Sequence, residues 1–464
     1  MGLRSSPLAY TILPSSAGGL GLFQSFYKTK AGAGHDRKAG FNMNKEFYYG
    51  NRQRFYRQMK DNSLLVLFSG TEVRKTNDEF YPFYTNRNFL YLTGLDSRDL
   101  ALLAQKDSDG HVKEKIFLLP PDLLQERWTG ARIRPEQAAE LSGIQETGYA
   151  GEFEDVLHRL ATTGNYRHLY LDLYRAAPTD RDEPAHRLLK RAAADYPYLR
   201  IENANTILRR LRTIKQPCEL EAMRQAEKIT CEGITSMMKA SRPGMYEYQY
   251  KAVFDYVLGQ YGPQGPAFPS IISAGKNNFC IHYYAYKGQA LDGDMVLNDV
   301  GAWHDYLMND VSRGWPCNGR FNERQKLLYE CALNTSDHMF GIIRPGMPMK
   351  EVDAEARRYN AELLVDAGVL DDPANIGIYM WHGGAHHVGF DVHDAVETPE
   401  VIAPNMVFCV DIGIYHEAWG IGFRLEDNCL VTETGCENLS AATPRTIAEI
   451  EDTMRQSFVP GFLK

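Results

Sequence analysis

The chain has 464 residues, more than one hydrophobic core usually serves, so two domains are expected. It is 44% hydrophobic and 24% charged, ordinary globular values that exclude a largely disordered chain. A net charge of -8, from 51 basic and 59 acidic residues, argues against nucleic acid as a partner, and the longest apolar runs, such as SLLVLF, fall far short of the roughly 20 residues of a membrane helix.

Residues 1–42 are rich in serine and glycine, carry Arg4, Lys28 and Lys30, and have no acid before Asp36. This composition suits an organelle transit peptide, and it equally suits an upstream extension with translation starting at Met43. On either reading the segment stands outside the fold. From Met43 the pattern is α/β: an arginine-rich helix over 51–59, a buried strand over 64–68, then YPFYTNRNFLYLTG (81–94), with strands and helices continuing through KIFLLPP, TGYAGEFEDVLHRL and RHLYLDLY. Near residues 201–206 the pattern changes, which places an amino-terminal domain at 43–203 and a second domain at 204–464.

The second domain reads as one arrangement built twice. Leu220, Met223, Ile229, Ile234 and Met237 recur at helical spacing between Pro217, suited to a helix start, and Gly244, suited to a stop. Helices are predicted over 217–240 and 246–260, followed by strands within 270–315. Helices over 322–343 and 350–368 follow, with strands within 376–431. All eight cysteines lie after residue 217 without a CxxC pair, the pattern of thiols in a reducing compartment, so the cytoplasm is expected, with a mitochondrion or other organelle as the alternative if 1–42 is a transit peptide.

Each half of this domain ends in a strand pair that carries acids. In DMVLNDVGAWHDYLMNDVSRGW, a hairpin turning at His304-Asp305 sets Asp299 opposite Asp310; in MVFCVDIGIYHEAWGIGFRLEDNCLV, a turn at Ala418-Trp419 sets Asp411 opposite Glu426. Directly opposed residues have Cβ atoms about 4.5–5.5 Å apart, where like charges repel. Two such pairs in apolar strands ask for cations, and a pair of divalent ions about 3.5–4 Å apart would suit them. The competing reading is that the acids only mark strand ends and turns. The segment HGGAHHVGFDVHD, 382–394, holds four of the 13 histidines. It is not HExxH, and its paired glycines disfavour a helix. Four carboxylates with one imidazole form an oxygen-rich set, suited to Mn²⁺, Co²⁺ or Fe²⁺ rather than to a thiolate-bound structural zinc.

At these residues the sequence resembles the proline-specific metallopeptidases of the pita-bread (creatinase/aminopeptidase) fold, and most of all aminopeptidase P. The ordered signature is matched by Asp299, Asp310, His386, Asp411 and Glu426, the last within GIGFRLED, and the resemblance extends to NNFCIHYY, RTIKQPCELEAMRQA, ERWTG and YPFYTNRNFLYLTG. It implies a small amino-terminal α/β creatinase-like domain followed by a pita-bread catalytic domain with pseudo-two-fold halves, acting on peptides with proline in the second position. It also implies two divalent ions, manganese first, with cobalt, iron or zinc as alternatives. Asp299 would hold one ion, Asp310 and Glu426 would bridge both, and His386 with Asp411 would hold the other. His282, His382 and His393 would line the site to hold substrate or stabilise the tetrahedral intermediate, Arg424 would orient its neighbours, and His387 would be a bystander. A homodimer or homotetramer is expected. The family's VEPGxY stands here as VDIGIY, so a ligand glutamate is shortened to Asp411 and a proline becomes Ile412. A dipeptide-restricted prolidase, or a peptide-binding paralogue without turnover, are the alternatives.

Overall fold

A computed structural model describes residues 43–262 and 265–460 of the chain. The extension expected over 1–42 lies outside the described residues. The first part of the described chain runs α1 (Lys45–Gln58), β1 (Ser63–Phe68), α2 (Arg87–Thr93), β2 (Ala101–Lys106), β3 (Val112–Leu118), α3 (Leu123–Thr129), α4 (Pro135–Ser142), β4 (Glu146–Tyr149), α5 (Phe153–Thr162), β5 (His168–Leu171), α6 (Pro184–Asp195), β6 (Arg200–Asn203) and α7 (Asn205–Thr213). Its six strands form one mixed sheet, ordered β4-β3-β2-β1-β5-β6. Helix α1 starts earlier than the arginine-rich run suggests, because the Asn44 side chain caps it by accepting from Phe47 N at 3.2 Å. The stretch over 81–94 becomes a helix only in its second half, opened by the Asn86 cap and closed by Gly94 at φ 68°.

The second part runs α8 (Pro217–Ala240), α9 (Glu247–Tyr261), β7 (Ile271–Ala274), β8 (Met295–Val300), β9 (Trp303–His304), β10 (Leu307–Met308), β11 (Val311–Pro316), α10 (Glu323–Ile342), α11 (Met349–Asp366), β12 (Val407–His416), β13 (Ile421–Val431), β14 (Cys436–Asn438) and α12 (Ile447–Met454). The repeated order of two helices and then strands matches the expectation of two halves. Apart from the separate β9-β10 pair, their strands join in one sheet, ordered β12-β13-β11-β8-β7, with β14 paired to β13. Met223, Ile229, Ile234 and Met237 of α8 are buried, each contributing roughly 1.5–3 kcal/mol. On β12, Phe408, Val410, Ile412 and Ile414 join the same core as α8 to α11. The strand's alternation therefore turns Cys409, Asp411, Gly413 and Tyr415 to the opposite face.

Two expectations are corrected. Strands β8 and β11 pair Asp299 with Ser312 rather than with Asp310. The hairpin turns at Asp305-Tyr306, whose φ values of 46° and 69° are those of a type I′ turn, and this fixes the Leu307–His304 pairing beside it. The register is displaced by two residues, which keeps every side chain on its expected face. Strand structure also does not begin at 376. Residues 373–378 form a 3₁₀ turn, and an irregular, glycine-containing segment covers the sheet until β12 starts at Val407.

Candidate active site

The corrected register gathers the predicted acids on one face of the second sheet. Asp411 pairs with Glu426, Glu426 with Ser312, and Ser312 with Asp299, so the four side chains form a row across β12, β13, β11 and β8. Asp310 and Arg424 each lie two residues before a member of the row and share its face. His386 descends onto the row from the irregular segment. Its Nε2 stands 3.5 Å from Asp310 Oδ2 and 3.6 Å from Glu426 Oε1.

The charges do not balance. Arg424 Nη2 donates to Asp299 Oδ2 at 2.8 Å, and Ser312 Oγ donates to Glu426 Oε2 at 2.7 Å. One oxygen each of Asp299, Asp310 and Asp411 is buried with no donor. Burial raises the carboxyl pKa of all three, and the charge of Glu426 raises each further. Burial also acts to raise Glu426, but His386 and the Ser312 hydroxyl outweigh it and bring its carboxyl down to about 2. Four carboxylates against one guanidinium and one imidazole leave excess negative charge in a largely buried space, which is costly without cations. Ligand atoms of Asp310, His386, Cys409 and Glu426 all lie within 4.8 Å of one another. The orphaned oxygens and this convergence fit a divalent metal centre.

The histidines divide by position. His382 is mostly buried, with Nε2 2.9 Å from the Tyr415 hydroxyl and Nδ1 3.2 Å from Asp411 Oδ2. Burial and the neighbouring Arg424 lower its pKa to about 4. His393 is exposed, its ring 4.2 Å from that of His386, and partial burial together with the charge of His386 lowers its pKa. His282 is exposed, stacks on Tyr284, and is close enough to affect His393. His387 is buried against Phe408, with no hydrogen-bond partner for either ring nitrogen.

Two glycines explain how a chain segment comes so close to a sheet. A Cβ on Gly384 would stand 2.2 Å from the Asp411 carbonyl oxygen, and one on Gly413 would stand 2.6 Å from His382 Nε2. Arg357 on α11 holds the backbone by donating to the carbonyls of Met380 and His382. At the far end Asp394 is buried against Arg212 and Lys215, and Asp391 accepts from Tyr84 of the first domain at 2.9 Å. A cavity of about 900 Å³ opens beside this segment, lined in part by Asp353, Gly383 and His386. None of Asp299, Asp310, Asp411 and Glu426 lines it, so it adjoins the acid row without containing it.

Sequence reasoning missed four members of the site. Ser312 and Tyr415 carry hydrogen bonds to Glu426 and to His382 and Arg424. Asn428 holds Asp310 through its backbone, accepting from the Asp310 N–H at 3.0 Å and donating to its carbonyl at 2.8 Å. Cys409 stands among the ligand atoms. Once Asp411–Glu426 is accepted, strand alternation alone places 409, 415 and 428 on the same face; only Ser312 needed the corrected register.

The profile of Metallopeptidase family M24 matches residues 221–433, and that of the aminopeptidase P N-terminal domain matches residues 36–170. An Xaa-Pro aminopeptidase of Haemophilus influenzae is 32% identical over 429 residues, covering 88% of this chain and 97% of the relative. The chain belongs to the aminopeptidase P family. Structures of Escherichia coli aminopeptidase P, one with the inhibitor Pro-Leu and one zinc-substituted with product, superpose with TM-scores of 0.82 and 0.81 at 28% identity, covering 89% of this chain and 99% of theirs. A mitochondrial relative of Arabidopsis thaliana, intermediate cleaving peptidase 55, is 27% identical over 88% of this chain and 82% of its own. Membership makes the chain a metallopeptidase of mixed α/β fold with an aminopeptidase P amino-terminal domain. Among the described residues no helix is long and apolar enough to cross a membrane.

Proposed function

We propose that the protein is a metal-dependent Xaa-Pro aminopeptidase that hydrolyses the bond between an amino-terminal residue and a following proline. The observation that carries this reading is the buried row of Asp411, Glu426 and Asp299, closed by Asp310 and His386, in a chain of the aminopeptidase P family. Asp299, Asp310, His386, Asp411 and Glu426 would hold two divalent ions, with Mn²⁺ favoured by the oxygen-rich donors. When bound, such ions supply a Lewis acid for the scissile carbonyl and acidify water.

The chain's own groups do the rest. An Xaa-Pro bond has no N–H and a fixed φ, so it cannot be gripped as an extended strand. His282 and His393, exposed at the rim, are placed to hold the peptide and to carry a proton to the proline nitrogen. His393, its pKa lowered, is shifted toward the neutral imidazole, the form that can accept that proton before delivering it. His382 keeps Asp411 aimed at the row, and Arg424 does the same for Asp299.

We place the domain boundary at 203/204, between β6 and α7, and the protein in the cytoplasm, with residues 1–42 as the segment that would redirect it to a mitochondrion. A homodimer or homotetramer would cover α3, where Leu123, Leu124 and Trp128 are exposed. The deciding experiment compares an Xaa-Pro-Yaa tripeptide with an Xaa-Pro dipeptide, with Mn²⁺ and after chelation. Tripeptide cleavage that chelation abolishes is expected. Cleavage of the dipeptide alone would make it a prolidase, and binding without turnover a peptide-binding paralogue.

A further inference from the structure

We infer that Cys409 is a metal ligand, so that this chain's centre is a mixed oxygen, nitrogen and thiolate site rather than the carboxylate and imidazole site its motif implies. The inference rests on the metal-dependent reading above and asks which atoms make the centre. Cys409 lies on β12 two residues before Asp411 and faces the same side of the sheet. Its Sγ is one of four ligand atoms lying within 4.8 Å of one another, the others coming from Asp310, His386 and Glu426. Asp411 is not in that set. Its Oδ2 is 3.2 Å from His382 Nδ1, and its Oδ1 is buried with no partner.

A second observation points to a ligand independently of the thiol. Asp310 is 4% exposed, and its Oδ1 has no hydrogen-bond donor although it stands among these groups. The thiol itself is fully buried, and its sulfur accepts the Asn428 side-chain N–H at 3.3 Å. Asn428 is Cys409's direct cross-strand partner and also grips the Asp310 backbone, so one amide positions both donors. Aspartate at 411 is a methylene shorter than the motif's glutamate, and the set of converging ligand atoms includes Cys409 and not Asp411. On binding, the S–H bond breaks, a sulfur–metal bond forms and the proton leaves to solvent. The charge of the filled site then falls by one unit without any new group entering.

A thiolate shifts preference toward softer ions, so this centre should favour Zn²⁺ or Co²⁺ over Mn²⁺ more than an all-carboxylate centre does. The test is the absorption spectrum of the full-length protein with two equivalents of Co²⁺. A near-ultraviolet thiolate-to-cobalt charge-transfer band is expected in the unsubstituted protein, absent in Cys409→Ser and kept in Cys429→Ser, which removes a buried thiol from the other face of the sheet. Competition should show Cys409→Ser losing at least about tenfold of its preference for Zn²⁺ over Mn²⁺. If Cys409→Ser fails to fold, ¹¹³Cd NMR of unsubstituted protein gives the answer directly, because a sulfur donor moves the resonance far from that of an oxygen and nitrogen site. Two bound ions with neither the band nor the cadmium shift would overturn the Cys409 assignment and leave the peptidase reading intact. No stoichiometric binding of Mn²⁺, Co²⁺ or Zn²⁺ would overturn both.

Discussion

A single methylene separates Asp411 from the glutamate of the family motif, and two features of its surroundings hold the strand in place. The register with Glu426 is retained, and the Gly384 backbone already lies against the Asp411 carbonyl, leaving no room for an inward shift. Asp411→Glu should therefore reach the row, tighten Mn²⁺ and raise kcat, by about tenfold and at most the roughly 10²-fold that a 1 Å misplacement can cost. Metal titration and steady-state kinetics decide this; weaker binding with lower kcat would mean that aspartate already reaches. His393 makes a complementary case. It is exposed and outside the ligand cluster, so His393→Ala should keep the metal content and lose about 10²–10³ in kcat. Loss of metal from that variant would identify it as a ligand. At this scale the sequence was most informative where a residue type is rare in its setting. Acids in apolar strands stood out, whereas Cys409 did not, because a cysteine in a strand ordinarily reads as core.

Among the elements, α8 was legible to its ends. Pro217 opens it, Glu219 returns its side chain to Gln216 N at 2.8 Å, and the apolar spacing fixes its buried face. The first hairpin was not, because its type I′ turn is made by Asp305-Tyr306, without the Asn-Gly or Gly signals that reveal such turns. The segment over 379–406 gave no periodicity because its backbone follows side-chain anchors distant in sequence, Arg357 at one end and the Arg212 and Lys215 that hold Asp394 at the other. Helix α8 also carries a buried carboxyl group that spacing could not show. Glu227 is 4% exposed, one oxygen accepts from Asn309 Nδ2 at 2.9 Å, the other has no partner, and burial raises its pKa from 4.5 to about 8. Because the folded value lies above the unfolded one, the native state binds the extra proton between these limits. Its stabilisation is complete below pH 4.5 and is lost as pH rises toward about 8. Glu227→Gln, which imitates the protonated form, should remove that loss. Urea midpoints of the two proteins should converge near pH 5 and diverge toward pH 8, at no more than about 1.4 kcal/mol per pH unit. Parallel curves across this range would show that Glu227 is ionised throughout.

At the scale of the whole molecule, the segment bearing His386 and His393 joins the two sheets. It lies over the second sheet, yet its far end is tied to residues before α8: Asp391 to Tyr84 and Arg212, and Asp394 to Arg212 and Lys215. The Asp394 carboxylate is completely buried and takes both cations, which are themselves almost unexposed. Removing it would leave Lys215 donating to the Arg212 carbonyl alone and Arg212 paired with the partly exposed Asp391. Breaking a buried pair in this way costs about 3–5 kcal/mol, mostly from the uncompensated charge. Asp394→Ala should lower the urea midpoint accordingly. It should also lower kcat and metal affinity, because His386 and His393 are then positioned from one end only. A double replacement separates the two effects: Asp394→Leu with Lys215→Met removes the carboxylate and one cation together, and should recover part of the stability while leaving activity low. If Asp394→Ala loses stability but keeps full kcat and metal affinity, the Arg212 and Lys215 anchor serves only as a support, and the reaction centre is set by the second sheet and Arg357 alone.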